Sequence, residues 1–134
     1  MTLVDTNVLL DVITGDERWF AWSIAQLERA SLAGPLFIND VVYAELAARY
    51  EHIDDLDVAL WDVRIEVAAT PRPALFLAGR AYLAYRRAGG TRTGVLPDFF
   101  IGAHAAVLGT PLITRDTRRY RTYFPTVELI TPPA

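Results

Sequence analysis

The chain has 134 residues, of which 52% are hydrophobic, and a mean hydropathy of +0.21; it can form one domain with a single core, and a disordered polar chain is excluded. Its net charge of −3 is unevenly divided, because residues 1–67 hold 4 arginines and 13 acids (−9) whereas residues 68–134 hold 9 arginines and 3 acids (+6). The sequence has no cysteine and no lysine, which excludes thiolate chemistry, disulfides, Walker phosphate loops and Schiff-base catalysis.

The N-terminal segment is predicted to form a short strand over 2–5 that ends at Asp5. It contains no basic stretch, so we expect no signal peptide. The longest uncharged stretch, 99–114, is interrupted by glycine, histidine and proline and is too short to span a bilayer. We therefore expect a cytoplasmic protein without membrane contact.

The rest of the first half is predicted to alternate helices with short strands. Polar residues at 5–7 can cap a helix beginning near Val8, and Asn39 and Asp40 can cap a later one. Helices are predicted over about 8–14, 17–33, 41–50 and 54–62, and strands over 36–38 and 64–68.

In the second half, prolines 71 and 73 open a predicted helix that runs to about Arg87, and another helix starts at Pro97. Strands are predicted over 111–114 and 127–130. Helices between strands indicate an α/β fold with a parallel sheet covered on both faces. No repeat or linker divides the sequence, so one domain over 1–134 is predicted.

Four acids stand where an open α/β sheet usually keeps its site. Asp5 follows the first strand, Asp116 follows the strand at 111–114, and Asp98 opens the helix that leads into that strand. Glu45 lies in the first turns of the helix after 36–38. Ligands of such sheets bind beyond the carboxyl ends of the strands. We therefore expect these carboxylates to meet in one cleft.

Clustered carboxylates repel one another, and a divalent cation relieves that repulsion. An all-oxygen set of ligands suits Mg²⁺, with Mn²⁺ as a substitute. Because the sequence lacks cysteine, lysine and a candidate Ser–His pair, water activated by a metal ion is the remaining hydrolytic chemistry, and a phosphodiester is the expected substrate. One of the acids can also receive the proton of that water.

Four segments resemble the PIN-domain ribonucleases, and more narrowly the VapC-type toxins. They are VDTNV at 4–8, VVYAEL at 41–46, LPDFFIGAHA at 96–105 and LITRD at 112–116. Each segment alone is a weak match, but together they place four acids in the family's order and spacing over nearly the whole chain. The bulky pair Phe99–Phe100 departs from the pattern and bears on packing or on a dimer contact.

The resemblance implies a PIN-like fold with a parallel sheet of about five strands and a Mg²⁺-dependent activity that cleaves single-stranded RNA. It also implies a homodimer that is neutralised by a VapB-type antitoxin. In this sequence Asp5 and Asp98 would bind the metal directly, and Glu45 and Asp116 would bind it through water or through a second ion. The polar residues that would orient the acids are Asn7 and Thr114.

Several arginines are predicted to bind RNA phosphates because they lie near the expected cleft; an ordinary solvated surface is the alternative. These are Arg92, Arg115, Arg118, Arg119 and Arg121. His104 lies six residues after Asp98, about 240° around the helix, so a packing role is expected. Aromatic residues at 19, 20, 22, 82 and 85 are expected in the core or in a partner contact, with base stacking as the alternative.

Each acid alone also has an ordinary structural explanation: Asp5 as a cap, Asp98 as a first-turn acid favoured by the helix dipole, Glu45 as a solvated residue and Asp116 as a turn residue. Among functions, the main alternative is a non-catalytic PIN-like module that binds RNA or protein. A haloacid-dehalogenase phosphatase is excluded by Asn7 and by the absence of lysine. Flap-type DNA nucleases carry larger insertions than this chain holds.

Overall fold

The computed structural model describes residues 1–92 and 94–133, and these ranges contain five strands and seven helices. The strands are β1 (Thr2–Val4), β2 (Leu36–Asn39), β3 (Ile65–Ala68), β4 (Leu112–Ile113) and β5 (Leu129–Ile130). The helices are α1 (Thr6–Thr14), α2 (Phe20–Ala33), α3 (Asp40–Ala47), α4 (Ile53–Asp62), α5 (Arg72–Arg87), α6 (Leu96–Leu108) and α7 (Arg118–Tyr123). In the ranges described, no helix is both long and apolar enough to cross a membrane.

All five strands are parallel and lie in the order β3-β2-β1-β4-β5, which confirms the predicted α/β fold. Leu3 in β1 is paired with Phe37 of β2 on one side and with Leu112 of β4 on the other. From β1 the chain builds outward to β3 and then returns past β1 to β4. Because crossovers are right-handed, this reversal distributes the helices over both faces. Ligands of open α/β sheets usually bind at such a reversal, which here lies beyond the carboxyl ends of β1 and β4.

The core lies between the central strands and the helices that cover them. Leu3, Val4, Phe37 and Ile38 are fully buried, as expected for parallel strands covered on both faces. Helix α6 packs closely because it is rich in small residues; a Cβ at Gly102 would lie 2.3 Å from the ring of Phe124. The small residues of this helix therefore set how near α7 and its flanking segment can approach.

Two helices start at residues other than those predicted, because local hydrogen bonds set where they begin. Helix α1 begins at Thr6 rather than near Val8, because the Asp5 side chain accepts the backbone N–H of Thr6. Helix α2 begins at Phe20 rather than at residue 17. There the Asp16 carboxylate accepts the backbone N–H groups of residues 18 and 19 and holds a turn before the helix.

Helix α7 was not predicted. It has six residues, and its preceding residue Thr117 provides no capping hydrogen bond from its side chain. Its position depends on burial, since Tyr120 and the following Phe124 are both in the core. The aromatic residues at 120, 123 and 124 have the i, i+3, i+4 spacing of one helix face, and this spacing is the pattern that could have predicted it.

Candidate active site

Asp5 is the central carboxylate of the site, at the end of β1. It is 4% exposed. Its Oδ1 accepts the backbone N–H of Thr6 at 2.7 Å, and its Oδ2 accepts Thr114 Oγ1 at 2.7 Å and Tyr120 Oη at 2.9 Å. Burial raises the pKa of Asp5 to about 6; the bond from Thr114 opposes this rise, and the charge of Asp98 adds to it. Asp5 is thus a carboxylate that ionises near neutral pH inside a fixed network.

The two residues predicted to support the acids both lie beside Asp5. Thr114, at the end of β4, donates to Asp5 and accepts the backbone N–H of Asp116 at 3.0 Å. The Asn7 Nδ2 lies 3.5 Å from Asp5 Oδ2, and its Oδ1 accepts the backbone N–H of Arg115 at 3.3 Å. These contacts tie the carboxyl ends of β1 and β4 together around Asp5.

Glu45 reaches the same edge of the sheet from α3. That helix starts at Asp40, one residue before the predicted start, and the predicted cap Asn39 accepts the backbone N–H of Val42 at 2.9 Å with its side chain. One turn further on, Glu45 Oε1 accepts Thr6 Oγ1 at 2.6 Å. Because Thr6 directly follows Asp5, this bond brings the carboxylate of α3 next to the start of α1. The side chain itself remains exposed to solvent.

Asp98 and Asp116 are joined by the guanidinium of Arg119. Asp98 lies in the first turn of α6, and its Oδ2 accepts Arg119 Nε at 2.9 Å and Nη2 at 2.6 Å. The same Nη2 is 3.3 Å from Asp116 Oδ2. Burial raises the pKa of Asp98, while the hydrogen bond and the charge of Arg119 lower it. One cation therefore holds two of the four acids together.

Within residues 1–92 and 94–133, no three Asp, Glu or His side chains converge as direct ligands of one metal ion. Oδ2 of Asp98 and Oδ2 of Asp116 are turned toward Arg119, and Asp5 Oδ2 is turned toward its two hydroxyl donors. The donor set nevertheless suits Mg²⁺, since it consists of carboxylate oxygens and Mg²⁺ normally takes one or two carboxylates and keeps several waters. In this structure the guanidinium of Arg119 supplies the positive charge beside Asp98 and Asp116.

The five arginines predicted to contact RNA have different environments. Arg115 binds Asp11 in bidentate fashion, at 2.7 and 2.9 Å, and its guanidinium lies 4.9 Å from the ring centroid of Trp19. Arg119 binds the two acids described above. The other three, Arg92, Arg118 and Arg121, are exposed. A cleft of about 390 Å³, lined among others by Arg92, Arg118 and Arg119, adjoins the acids. Contact of any of the five with RNA remains a prediction.

The predicted packing roles of His104 and of two tyrosines are confirmed. His104 is buried against Phe37, with ring centroids 5.4 Å apart, and burial lowers the pKa of its imidazole. Tyr82 and Tyr85 both pack on Phe99, each with its ring centroid 5.5 Å away. The bulky residue that follows Asp98 is therefore the centre of an aromatic cluster behind the acid.

The indole of Trp22 packs partly on the core, edge-on to Trp19 at 6.4 Å between centroids. Phe20 is exposed. Partner contact and base stacking at this aromatic group both remain predictions. The structure also contains contacts that the sequence analysis missed: Thr6 on Glu45, Tyr120 on Asp5, and Asp11 on Arg115.

A family model described as the PIN domain matches residues 2–125. Three solved structures are similar over nearly the full length of both chains. VapBC2 of Rickettsia felis bound to a promoter DNA fragment has a TM-score of 0.72 at 18% identity and covers 97% of each chain. DNA-bound VapBC of Salmonella typhimurium has a TM-score of 0.69 at 19% identity and covers 97% of this chain and 96% of the other. FitAcB of Neisseria gonorrhoeae has a TM-score of 0.62 at 22% identity, with the same coverage. No curated protein matches.

Proposed function

The chain belongs to the PIN-domain family, and on that premise we propose that it is a metal-dependent endoribonuclease and the toxin of a toxin–antitoxin pair. The observation that carries the proposal is the meeting of acids at the strand reversal between β1 and β4. Asp5 lies at the end of β1, and Arg119 bridges Asp98 and Asp116 beside it. Such a concentration of carboxylates is costly without a cation. A module without catalytic activity would have no need to keep all four acids, so their presence together favours an enzyme.

The residues that would hold Mg²⁺, or Mn²⁺ in its place, are the four acids. Asp5 and Asp98 would be direct ligands, with Glu45 and Asp116 acting through water or a second ion. When bound, such an ion lowers the pKa of its water and stabilises the charge that develops on a phosphodiester.

The chain's own groups would supply orientation. Thr114 and Tyr120 fix Oδ2 of Asp5, and Thr6 fixes Oε1 of Glu45. A carboxylate held in this way needs little reorganisation when charge develops nearby. The exposed arginines 92 and 118 lie along the adjoining cleft and would bind the phosphates that flank the scissile bond.

A VapB-type antitoxin is the proposed partner, and a homodimer is the proposed assembly. The Rickettsia felis and Salmonella typhimurium neighbours are VapBC complexes. In this chain Leu32, Trp61 and Phe76 are each more than 70% exposed. Large apolar side chains on a surface are typical of regions that a partner covers.

The test is cleavage of a fluorescent single-stranded RNA by purified protein, with Mg²⁺ and with EDTA. Changing Asp98→Asn is expected to reduce the rate by at least about 100-fold, the scale of losing one group that stabilises transition-state charge. The matched control is Asp55→Asn, which removes an exposed acid in the first turn of α4. Cleavage by Asp98→Asn at the normal rate, or full activity in EDTA, would refute the proposal. RNA binding without cleavage and without Mg²⁺ affinity would favour the non-catalytic module.

A further inference from the structure

Arg119 has an unusual position for an arginine in a nuclease cleft, because its guanidinium contacts the acids rather than the solvent. Three hydrogen bonds of 2.6 to 3.3 Å connect it to Asp98 and Asp116. Its side chain is only 15% exposed, whereas those of Asp98 and Asp116 are 24% and 45% exposed. All three side chains of this bridge are thus at least half shielded from solvent, so it is more than a fully exposed surface ion pair.

Arg119 supplies the positive charge that a divalent ion would otherwise supply to Asp98 and Asp116. Burial and the charge of Asp116 raise the pKa of Asp98, and the hydrogen bond and positive charge of Arg119 oppose that rise. A guanidinium presents several N–H donors in one plane, so a single residue can bond two carboxylates at once. Arg119 bonds Oδ2 of Asp98 and Oδ2 of Asp116, so an ion that bound either of these oxygens would have to displace it.

We propose that Arg119 is a built-in counter-cation that holds Asp98 and Asp116 in the metal-free protein and leaves them when a divalent ion binds. The inference rests on the proposed function, because it requires the ion to bind at these acids. Arginine and metal then compete for the same oxygens. The wild-type protein consequently binds the metal more weakly than the acids alone would.

The surroundings allow the side chain to move while its helix stays in place. Helix α7 is anchored by Tyr120, which is buried and bonded to Asp5, and by the packing of the following Phe124. Arg119 also lines the cleft of about 390 Å³ that it shares with Arg92 and Arg118. Rotation into this space places the guanidinium on the surface where RNA phosphates would lie.

The experiment is calorimetric titration of the purified full chain with Mn²⁺ and with Mg²⁺. Arg119→Ala is expected to bind the ion at least about 10-fold more tightly than wild type. A change of this size corresponds to removing one charge-assisted contact that competes with the ion. Arg119→Lys should fall between them, because an ammonium neutralises charge but lacks the planar fork. The control is Arg118→Ala, which removes the same charge from an exposed neighbour on α7; its affinity should change less than about 3-fold.

Thermal unfolding gives a second measurement that is independent of cleavage. In EDTA, Arg119→Ala should melt below wild type because two carboxylates lose their cation, and saturating Mg²⁺ should close most of that gap. If Arg119→Ala does not fold in EDTA, the same comparison is made with Arg119→Gln, which removes the charge but keeps part of the side chain's length and an N–H donor group.

The outcomes separate this inference from the proposed function. If wild type binds the ion and cuts RNA, but Arg119→Ala and Arg119→Gln bind it no more tightly, competition is refuted and the nuclease stands. If Arg118→Ala gains as much affinity as Arg119→Ala, the effect is general electrostatics and the inference is also refuted. If no variant binds either ion, both proposals fail.

Discussion

The hydrogen bond from Tyr120 to Asp5 allows a quantitative prediction for Tyr120→Phe. The substitution removes one oxygen from a side chain that is 1% exposed and leaves the ring packing unchanged. Because a hydrogen bond to a charged group contributes about 1.5–3 kcal/mol and one between neutral groups about 0.5–1.5, the cost depends on the ionisation of Asp5. We expect the variant to lose about 2 kcal/mol of unfolding free energy at pH 7.5 and about 1 kcal/mol at pH 5.

The sign of this pH dependence follows from the pKa of Asp5. Its folded-state value of about 6 lies above the ordinary 3.8. The free energy of unfolding that protonated Asp5 contributes is therefore fully present below pH 3.8 and is lost as the pH rises through 6. Removing a donor to the carboxylate raises the folded-state pKa further. A difference of about 1 kcal/mol between the two pH values corresponds to a further rise of roughly 0.7 pKa units.

The measurement is urea unfolding in EDTA at both pH values, followed by tryptophan fluorescence, with a ¹³C-carboxyl titration of Asp5 by NMR. Tyr123→Phe is the control, since this tyrosine lies on the same helix and its hydroxyl makes no hydrogen bond among the described residues. Equal losses at pH 5 and 7.5, or an Asp5 pKa in Tyr120→Phe that is unchanged or lower, would refute the reasoning.

Three further predictions concern neighbouring contacts. Arg115→Ala should lower the free energy of unfolding by about 2 kcal/mol in urea, because Asp11, 3% exposed, loses its cationic partner and keeps only the Ser23 hydroxyl. The double change with Asp11→Ala should cost less than the sum of the two single changes. Gly102→Ala should lower the free energy of unfolding by about 1–3 kcal/mol, because the new methyl group would overlap the ring of Phe124. An unchanged free energy of unfolding would show that the ring moves aside. Thr6→Val should slow RNA cleavage about 10-fold by releasing the α3 glutamate; an unchanged rate would mean that this contact does not orient the acid.

Much of the fold could be predicted because it depends on local patterns. Apolar runs ending at polar residues located the strands, and capping side chains such as Asn39 located helix starts. Helix α7 was not predicted, because it is short, has no capping side chain and is stabilised by the burial of Tyr120 and Phe124. A segment whose conformation depends on tertiary contacts gives a weak local pattern.

The same distinction applies to the site. The four acids were placed at one edge of the sheet from their positions after strands and at helix starts. Their partners were not predicted: Tyr120 meets Asp5 across 115 residues and Arg115 meets Asp11 across 104. RNA contact by Arg119 was predicted from its position in the sequence, but its bonds to Asp98 were not. Such pairs depend on how α7 and β4 dock against β1 and α1, which sequence spacing does not specify.

Asp5 caps α1 with one oxygen and ties β4 and α7 to β1 with the other. If the chain is the toxin that we propose, a genetic selection for survivors would therefore recover changes at Asp5 for two unrelated reasons, abolished chemistry and a shortened lifetime of the protein in the cell. Glu45 is exposed and accepts a single side-chain bond, so a survivor altered there would still accumulate and would still bind the antitoxin that we propose as its partner. The abundance of the mutant protein would distinguish the two kinds of survivor.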